Sequence, residues 1–489
     1  MQTLAASAPL ATSTPSPRPP LCVDLDNSLV ATDLLWESFL AAAKRNPMIV
    51  LLVPLWLLRG RAYMKEKLAA CASLRLDLLP YRKDVICFLH NEKQTGRSLW
   101  LVTASDGRLA RQVASHLGIF DEVVSSNGQH NLKGNAKADF LERQLGRGKF
   151  SYLGDSRSDV AVWERAASAL VVSPSRFLAN QAARVTRLEK HFPVSKASLG
   201  DIVHALRLHH WSKNILLFLP VLLAHKLKAG LLIREAVAFV WFGFAASGVY
   251  VLNDLLDIQS DRQHPWKATR PFAAGALSVQ TGILLFLFLC MASVAGGWLT
   301  LGPVAGVLLA CYCTLSIAYS SSLKRIVLGD VFILASFYTF RILTGGLVAP
   351  VRLSAWFMAF SGLFFLSLAA AKRYSELVHA QDLVLSGNSG RSYQVGDRSL
   401  LSEFGVASAF AAIVIFGLYT QSPDVLALYA RPSLLLAVAP LLLFWVTRLW
   451  LRAHRGELAE DPIVLAMKDP VSYCVGAGAA LLIVLGSLR

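Results

Sequence analysis

Hydrophobic and polar positions follow two regimes along this chain. Up to about residue 205, short apolar runs alternate with mixed, charged stretches. Leu21 to Asp24, the run ending at Thr103 and Tyr152-Leu153 have strand length, and the segments between them are long enough for helices. Strands that alternate with helices in this way predict a doubly wound α/β domain with its site at the strand C-termini. From residue 206 onward the pattern becomes nine long apolar spans, near 213–231, 235–252, 279–299, 303–320, 328–348, 354–371, 403–421, 433–450 and 472–488. Each is about long enough to cross a bilayer. The expected organisation is a disordered Ser/Thr/Pro-rich tail over 1–20, an α/β domain over 21–190, a linker over 191–205 and an all-α, nine-helix transmembrane domain over 206–489.

Composition agrees with the second regime. Of 489 residues, 54% are hydrophobic and 16% charged, too apolar for a soluble globular protein. The formal net charge of +16 has no accompanying basic-aromatic stripe, so nucleic acid is not the expected partner. Many basic residues stand in the loops at 253–278, 321–327, 372–402 and 448–471, Arg391 among them, whereas the opposite loops hold only Lys226, Lys228, Arg234, Arg352 and Arg431. The positive-inside rule then puts the N-terminal domain and these loops in the cytoplasm and the C-terminus outside, in a bacterial-type inner or plasma membrane. Seven scattered cysteines without ligand spacing suit a reducing compartment and predict no zinc site.

One charged segment stands at the end of an apolar span. Residues 253–271 read N-D-L-L-D-I-Q-S-D-R-Q-H-P-W-K-A-T-R-P. On one helix Asn253, Asp257 and Asp261 share a face, with Asp254 one turn before Asp257. Carboxylates so close call for a cation between them, and hard oxygen ligands suit Mg²⁺ bridging to phosphates. Pro265 should end the helix. Beyond Asp261, Arg262, His264, Lys267 and Arg270 are placed to reach the remaining phosphate oxygens. Ionisable groups in or beside the other spans, Lys213, Lys324, Asp330, Arg341, Lys372 and Arg373, are costly in lipid and are either functional or snorkel to the interface.

These residues resemble the UbiA prenyltransferase superfamily, whose N-D-x-x-D-x-x-x-D motif stands here as Asn253, Asp254, Asp257 and Asp261. The strings D-R-x-H-P-x-K-x-x-R-P-x-A-A-G at 261–275, R-x-x-H-W-x-K-N at 207–214 and Y-S-x-x-L-K at 319–324, which holds Tyr319 and Lys324, are similar to its decaprenyl-phosphate phosphoribosyltransferase branch. Most aromatic prenyltransferases of the superfamily carry a second D-x-x-x-D motif. Here Asp330 stands without a partner, because position 334 is Leu. The resemblance implies Mg²⁺, phosphoribosyl diphosphate as donor and a polyprenyl phosphate as acceptor, and charge and position make Lys213 or Arg341 the candidates to steer the acceptor phosphate.

The first domain resembles the haloacid dehalogenase (HAD) phosphatases through D-L-D-N-S at 24–28, Thr103 and Ser105 after the second strand, K-G-x-x-K at 133–137 and G-D-S-R-S-D at 154–159. That likeness implies Asp24 as nucleophile and Asp26 as general acid and base. Asp24, Asp155 and the backbone carbonyl of Asp26 would bind Mg²⁺, with Asp159 in an outer position. Thr103, or less directly Ser105, would hold the phosphoryl oxygens, and Lys137 would offset their charge. Ser28 occupies a position where Thr is usual. Residues 30–95 are long enough for a helical cap. Within it Pro47 to Leu58 is almost wholly apolar and is read either as cap core or as an interfacial segment whose following Arg59, Arg61, Lys65 and Lys67 meet anionic headgroups.

Together the domains suggest a bifunctional membrane enzyme. The transferase would attach phosphoribose to the lipid, and the phosphatase would remove its 5-phosphate to give a precursor of lipid-linked arabinose for cell-wall glycan assembly. The competing readings are a prenyltransferase acting on an aromatic acceptor with an accessory phosphatase, and a non-catalytic tether or transporter carrying a phosphatase. A homo-oligomer is compatible with each.

Overall fold

The computed structural model describes residues 18–127, 129–382, 393–458 and 462–488. Most of the expected tail, and Arg391, lie outside them. The chain divides into two compact units, Met1–Lys196 and Ala197–Arg489.

The first unit is built on a six-stranded parallel sheet. Its strands are β1 (Leu21–Val23), β2 (Leu99–Asp106), β3 (Glu122–Ser126), β4 (Ser151–Gly154), β5 (Ser168–Ser173) and β6 (Arg187–Pro193), in the order β3-β2-β1-β4-β5-β6. Side chains of period two divide between the two faces. Leu21, Val23, Leu99, Leu101, Leu153 and Leu170 enter one core, while Cys22, Val102, Tyr152, Ala169 and Val171 enter the other. Both faces are therefore covered, as a parallel sheet requires. The strand order reverses between β1 and β4, which is where a doubly wound sheet opens a ligand crevice at its C-terminal edge. The cap follows β1 as three helices, α1 (Leu34–Arg45), α2 (Ile49–Leu58) and α3 (Arg61–Cys71). Gly60 makes the turn between α2 and α3 with φ 112°, a conformation that a side chain would strain. The unit has the expected doubly wound α/β fold, with a helical insertion after β1.

The second unit is all-helical. Among the described residues, eight helices are long and apolar enough to cross a membrane: Ala229–Leu256, Val279–Leu301, Pro303–Ser321, Gly329–Val348, Ala355–His379, Arg398–Thr420, Pro432–His454 and Pro470–Ser487. The protein is an integral membrane protein. These eight helices are the second to ninth of the nine expected spans, and the first takes another form. There the chain forms a 3₁₀ segment, Leu208–Phe218, then a short α-helix, Leu219–Leu223, and a turn in which His225 has φ 55°. The tighter winding follows from tertiary packing. The Leu217 carbonyl lies 2.0 Å from where a Cβ would stand on Gly345, and the Trp211 ring lies 2.6 Å from the corresponding point on Gly243. Only glycines admit this backbone. By the rise of its two helix types the segment is roughly 30 Å long, the thickness of a hydrocarbon core. It keeps the reach of a crossing without being an α-helix of spanning length.

Candidate active sites

In the first unit the loop after β1 carries Asp24 and Asp26 to the sheet edge, where the Asp24 amide donates to the Leu153 carbonyl of β4 at 2.9 Å. The adjacent strands bring Thr103 and Asp155 to the same edge. Lys137, near the start of the helix Asn135–Leu145, is buried and donates from Nζ to Asp24 Oδ1 at 2.9 Å and to the Tyr152 hydroxyl at 2.6 Å. Tyr152 in turn donates to Asp159 Oδ1 at 3.1 Å. The other oxygen of Asp159 accepts from the amides of Asp155 and Ser156 and from the Ser156 hydroxyl. Ser28 Oγ donates to Asp155 Oδ1 at 3.3 Å.

Asp24, Asp155 and Asp159 each offer an oxygen within 4.8 Å of the others, the metal-competent group found among the described residues. Burial pushes the Asp24 carboxyl up to about 6 even though Lys137 opposes the rise, and Asp159 and Asp26 add to it. Asp155 is also held well above its usual range by burial, with Asp24 and Asp159 contributing. Lys137 loses charge stability to burial but regains more from Asp24 and Asp159, so its pKa rises. One lysine among three carboxylates leaves a negative surplus, which fits a divalent cation.

Asp26 faces another way. Its Oδ1 accepts from the Leu34 amide at 2.9 Å and its Oδ2 from the Ser105 hydroxyl, so both carboxylate oxygens are engaged away from the Asp24 cluster. Burial and then Asp33 raise its pKa to about 6, which suits a group that must hold and release a proton. Ser105 thereby fixes the orientation of the Asp26 carboxylate. The Thr103 hydroxyl accepts from the Ser105 amide at 3.0 Å. Lys65 departs from its expected position among headgroup contacts: it turns inward and donates to the Ala104 carbonyl at 2.7 Å and to Asn131 at 3.0 Å. Its position near Asp26 and Asp33 adds a cation to the site. Neither Lys65 nor Tyr152 stood out in the sequence, because a lysine in a basic run and a tyrosine in a strand each have an ordinary explanation.

The acidic segment of the membrane unit differs from the continuous helix expected of it. The helix Ala229–Leu256 ends, Asp257 takes a non-helical conformation, and a short helix Ile258–Gln263 resumes. The amides of Asp257 and Asp261 still reach the carbonyls four residues back, at 2.9 and 2.8 Å, so the spacing survives the break. His264 is extended ahead of Pro265 and ends the helix. Asp254 is paired by both Arg207 and Arg270, Asp261 by Arg270 at 2.7 Å, and Asp257 by Lys324 at 2.8 Å. Lys324 also donates to Asn253 Oδ1 at 3.2 Å. A cavity of about 260 Å³ opens beside them, lined by His204, Arg207, His209, His210, Asp254, Arg270 and Pro271. Among the described residues these three carboxylates do not bring oxygens within 4.8 Å of one another as Asp24, Asp155 and Asp159 do, and cations hold them instead; their hard oxygens are of the type that Mg²⁺ takes. The three cations among them fit the phosphates that would arrive with it. Arg207 had appeared only inside a motif string, and the fold makes it a partner of Asp254.

Other candidates are engaged elsewhere. Arg262 donates to the Ala273 carbonyl at 2.9 Å, Lys267 is exposed, and His264 Nδ1 is buried with no hydrogen-bond partner among the described residues. Lys213 lies over the Tyr338 ring at 5.6 Å. Arg341 donates to Asn214 and to the Tyr312 hydroxyl, both at 3.0 Å, and to the Phe337 carbonyl at 2.7 Å. Asp330 and Tyr319 are engaged with other side chains of the unit. Fully buried Asp330 pairs with Arg373 and accepts from Tyr393, and Arg373 also donates to the Tyr319 hydroxyl at 3.0 Å. A buried carboxylate lacking its acidic partner has found a guanidinium.

The family model of the UbiA prenyltransferase family matches residues 216–466, which include Asp254, Asp257, Asp261, Arg270 and Lys324. The chain belongs to this family. Within the UbiA family it is similar to decaprenyl-phosphate phosphoribosyltransferase of Mycolicibacterium smegmatis, 31% identical over 288 residues, which are 56% of this chain and 89% of that protein. The uncharacterized protein y4nM of Sinorhizobium fredii is 37% identical over 465 residues, 94% of this chain and 89% of its own. Among solved structures, phosphoserine phosphatase in apo form matches over 36% of this chain and 94% of that one, at 14% identity and a TM-score of 0.28. The protein is thus a UbiA-family transferase with an N-terminal α/β unit.

Proposed function

We propose that this enzyme transfers 5-phosphoribosyl from phosphoribosyl diphosphate to a polyprenyl phosphate and then removes the 5-phosphate from the lipid-linked product. The observation that carries the transferase reading is the pairing of Asp330 with Arg373. It commits the carboxylate that would begin a second aspartate motif, leaving one acidic cluster, at 254–261, and a basic group around it. The name of the Mycolicibacterium relative, decaprenyl-phosphate phosphoribosyltransferase, supports phosphoribosyl as the group transferred and a polyprenyl phosphate as the acceptor.

In the transferase, Mg²⁺ held by Asp254, Asp257 and Asp261 would neutralise the diphosphate leaving group. Arg207, Arg270 and Lys324 exchange part of their pairing with these aspartates for the donor's phosphate oxygens. The C1–O bond to diphosphate breaks while an oxygen of the acceptor phosphate bonds C1, through an oxocarbenium-like state. The acceptor is already ionised and requires no strong base. In the phosphatase, Mg²⁺ on Asp24, Asp155 and the Asp26 carbonyl, with Asp159 outside, would balance the charge of the phosphoryl group. Asp24 attacks phosphorus, Asp26 protonates the departing ribose oxygen, and Asp26 then takes a proton from the water that cleaves the aspartyl-phosphate.

The test uses purified protein with Mg²⁺ in two mixtures: labelled phosphoribosyl diphosphate with polyprenyl phosphate, and labelled prenyl diphosphate with 4-hydroxybenzoate. Label should enter lipid-linked pentose in the first. Product from the second alone would establish the aromatic prenyltransferase instead, and no product from either would favour a non-catalytic membrane unit. Arabinan precursor synthesis, cytoplasmic placement of both sites and a C-terminus outside belong to the same proposal.

A further inference from the structure

Helix α2 is apolar around its whole circumference, yet only one side of it is covered. Ile49, Val53 and Trp56 pack with Ala42 of α1 and Leu68 of α3. On the other side Leu51, Leu55 and Leu58, spaced i, i+4, i+7, are 66%, 58% and 85% exposed, with Val50, Leu52 and Leu57 beside them. A wholly apolar helix left half open in water is costly, and a contiguous patch of this kind marks an interaction surface. Ten residues are too few to span a bilayer.

The neighbouring residues identify the occupant. Arg45 before the helix and Arg59, Arg61 and Lys67 after it are exposed and basic. Arg59 and Lys67 flank the Tyr63 ring at 5.6 and 5.3 Å, placing an aromatic ring among cations, as at a membrane interface. An apolar face bordered by positive charge complements an anionic bilayer surface. The same chain carries eight membrane helices, so a bilayer is its constant surrounding.

We infer that α2 inserts its Leu51–Leu55–Leu58 face into one leaflet and docks the phosphatase on anionic lipid, so that it acts on phosphomonoesters carried by membrane lipids. The α2–α3 hairpin joins this surface to the site, because α3 also carries Lys65, which reaches the Ala104 carbonyl beside Thr103 and Ser105. The insertion stands on geometry and charge alone, whereas the substrate class rests on the phosphatase reading above.

Two measurements on the full-length protein test it. In vesicles of phosphatidylglycerol and phosphatidylcholine, p-benzoylphenylalanine in place of Leu55 should photo-crosslink to lipid, and more so as the anionic fraction rises. Crosslinks to the chain's own membrane unit or to a second copy, or none, would overturn the insertion. The double variant Leu51→Glu/Leu55→Glu should lose about tenfold in hydrolysis of the lipid-borne phosphate while p-nitrophenyl phosphate hydrolysis stays within about twofold. Equal loss on both substrates, or loss on neither, would remove the lipid-delivery role. If the unsubstituted protein hydrolyses neither substrate, the phosphatase reading fails, and the crosslink alone decides the insertion.

Discussion

The two acidic sites of this protein neutralise similar charge in opposite ways. In the α/β unit Asp24, Asp155 and Asp159 converge within 4.8 Å, with Lys137 bonded directly to Asp24. In the membrane unit Asp254, Asp257 and Asp261 are held by Arg207, Arg270 and Lys324, three cations for three carboxylates. The first arrangement has negative charge to spare and suits a metal bound before substrate arrives. The second is near balance, so it suits a ligand that brings metal and phosphates together and lets the cations change partners. A phosphatase reuses one metal through a two-step reaction, whereas a diphosphate donor enters and leaves with its own counter-charge.

The largest effect that would break this comparison is expected at Asp24. Asp24→Asn removes the proposed nucleophile and should reduce phosphate release from the lipid product by on the order of 10³-fold or more. Phosphoribosyl transfer should continue, and chromatography should then show product retaining its 5-phosphate. If phosphate is still removed at the normal rate, the nucleophile lies elsewhere.

Next come Asp257→Ala and Asp261→Ala, each expected to reduce transferase turnover by roughly 10²–10³-fold and to raise the Mg²⁺ concentration for half-maximal rate. Hydrolysis of a soluble phosphomonoester should not change. Full turnover in both variants would remove the metal assignment. Arg270→Gln tests the exchange of partners more narrowly. Loss of a charge-assisted contact to phosphate should raise KM for the donor about 10–100-fold, more than it lowers kcat. A kcat loss with KM unchanged would place Arg270 in structural bridging of Asp254 and Asp261 instead.

The smallest expected effect is in the pH dependence of the metal-free phosphatase unit. Its Asp24 and Asp26 carboxyls are raised to about 6, Asp24 by burial and then neighbouring carboxylates, Asp26 by burial and then Asp33. Between the ordinary carboxylate range and 6 the folded state therefore holds protons that the unfolded chain has released. Stability in chelator should decline as pH rises through that window, and Mg²⁺ should restore it at neutral pH. Thermal melts at pH 5 and 7.5, with and without Mg²⁺, measure this. Equal curves would mean that these carboxylates are solvated in the folded protein.

Much of this was legible in sequence because it is local or periodic. The apolar run Leu21-Cys22-Val23 marks a strand, whose side chains enter both cores, and the 253–261 spacing keeps its backbone hydrogen bonds across the break at Asp257. The four phosphatase motifs were readable in order, since each sits at the end of a strand or the start of a helix. What was not legible depends on partners distant in sequence. Lys65 reaches Ala104, Arg207 reaches Asp254, and Asp330 finds Arg373. A basic residue in a charged run looks the same whether it meets lipid, water or a carboxylate.

The sequence by itself determined the two units, the family of the membrane unit and which residue types could do metal and phosphate chemistry, because side-chain period and hydrophobic length are properties of the chain. Only the tertiary structure decided which carboxylates share a site, which cations neutralise them, and that the segment before the first long helix winds as 3₁₀ against Gly345 and Gly243. Electrostatic pairing and close packing depend on distances of a few ångströms between residues tens to hundreds of positions apart, and those distances exist only once the chain has folded.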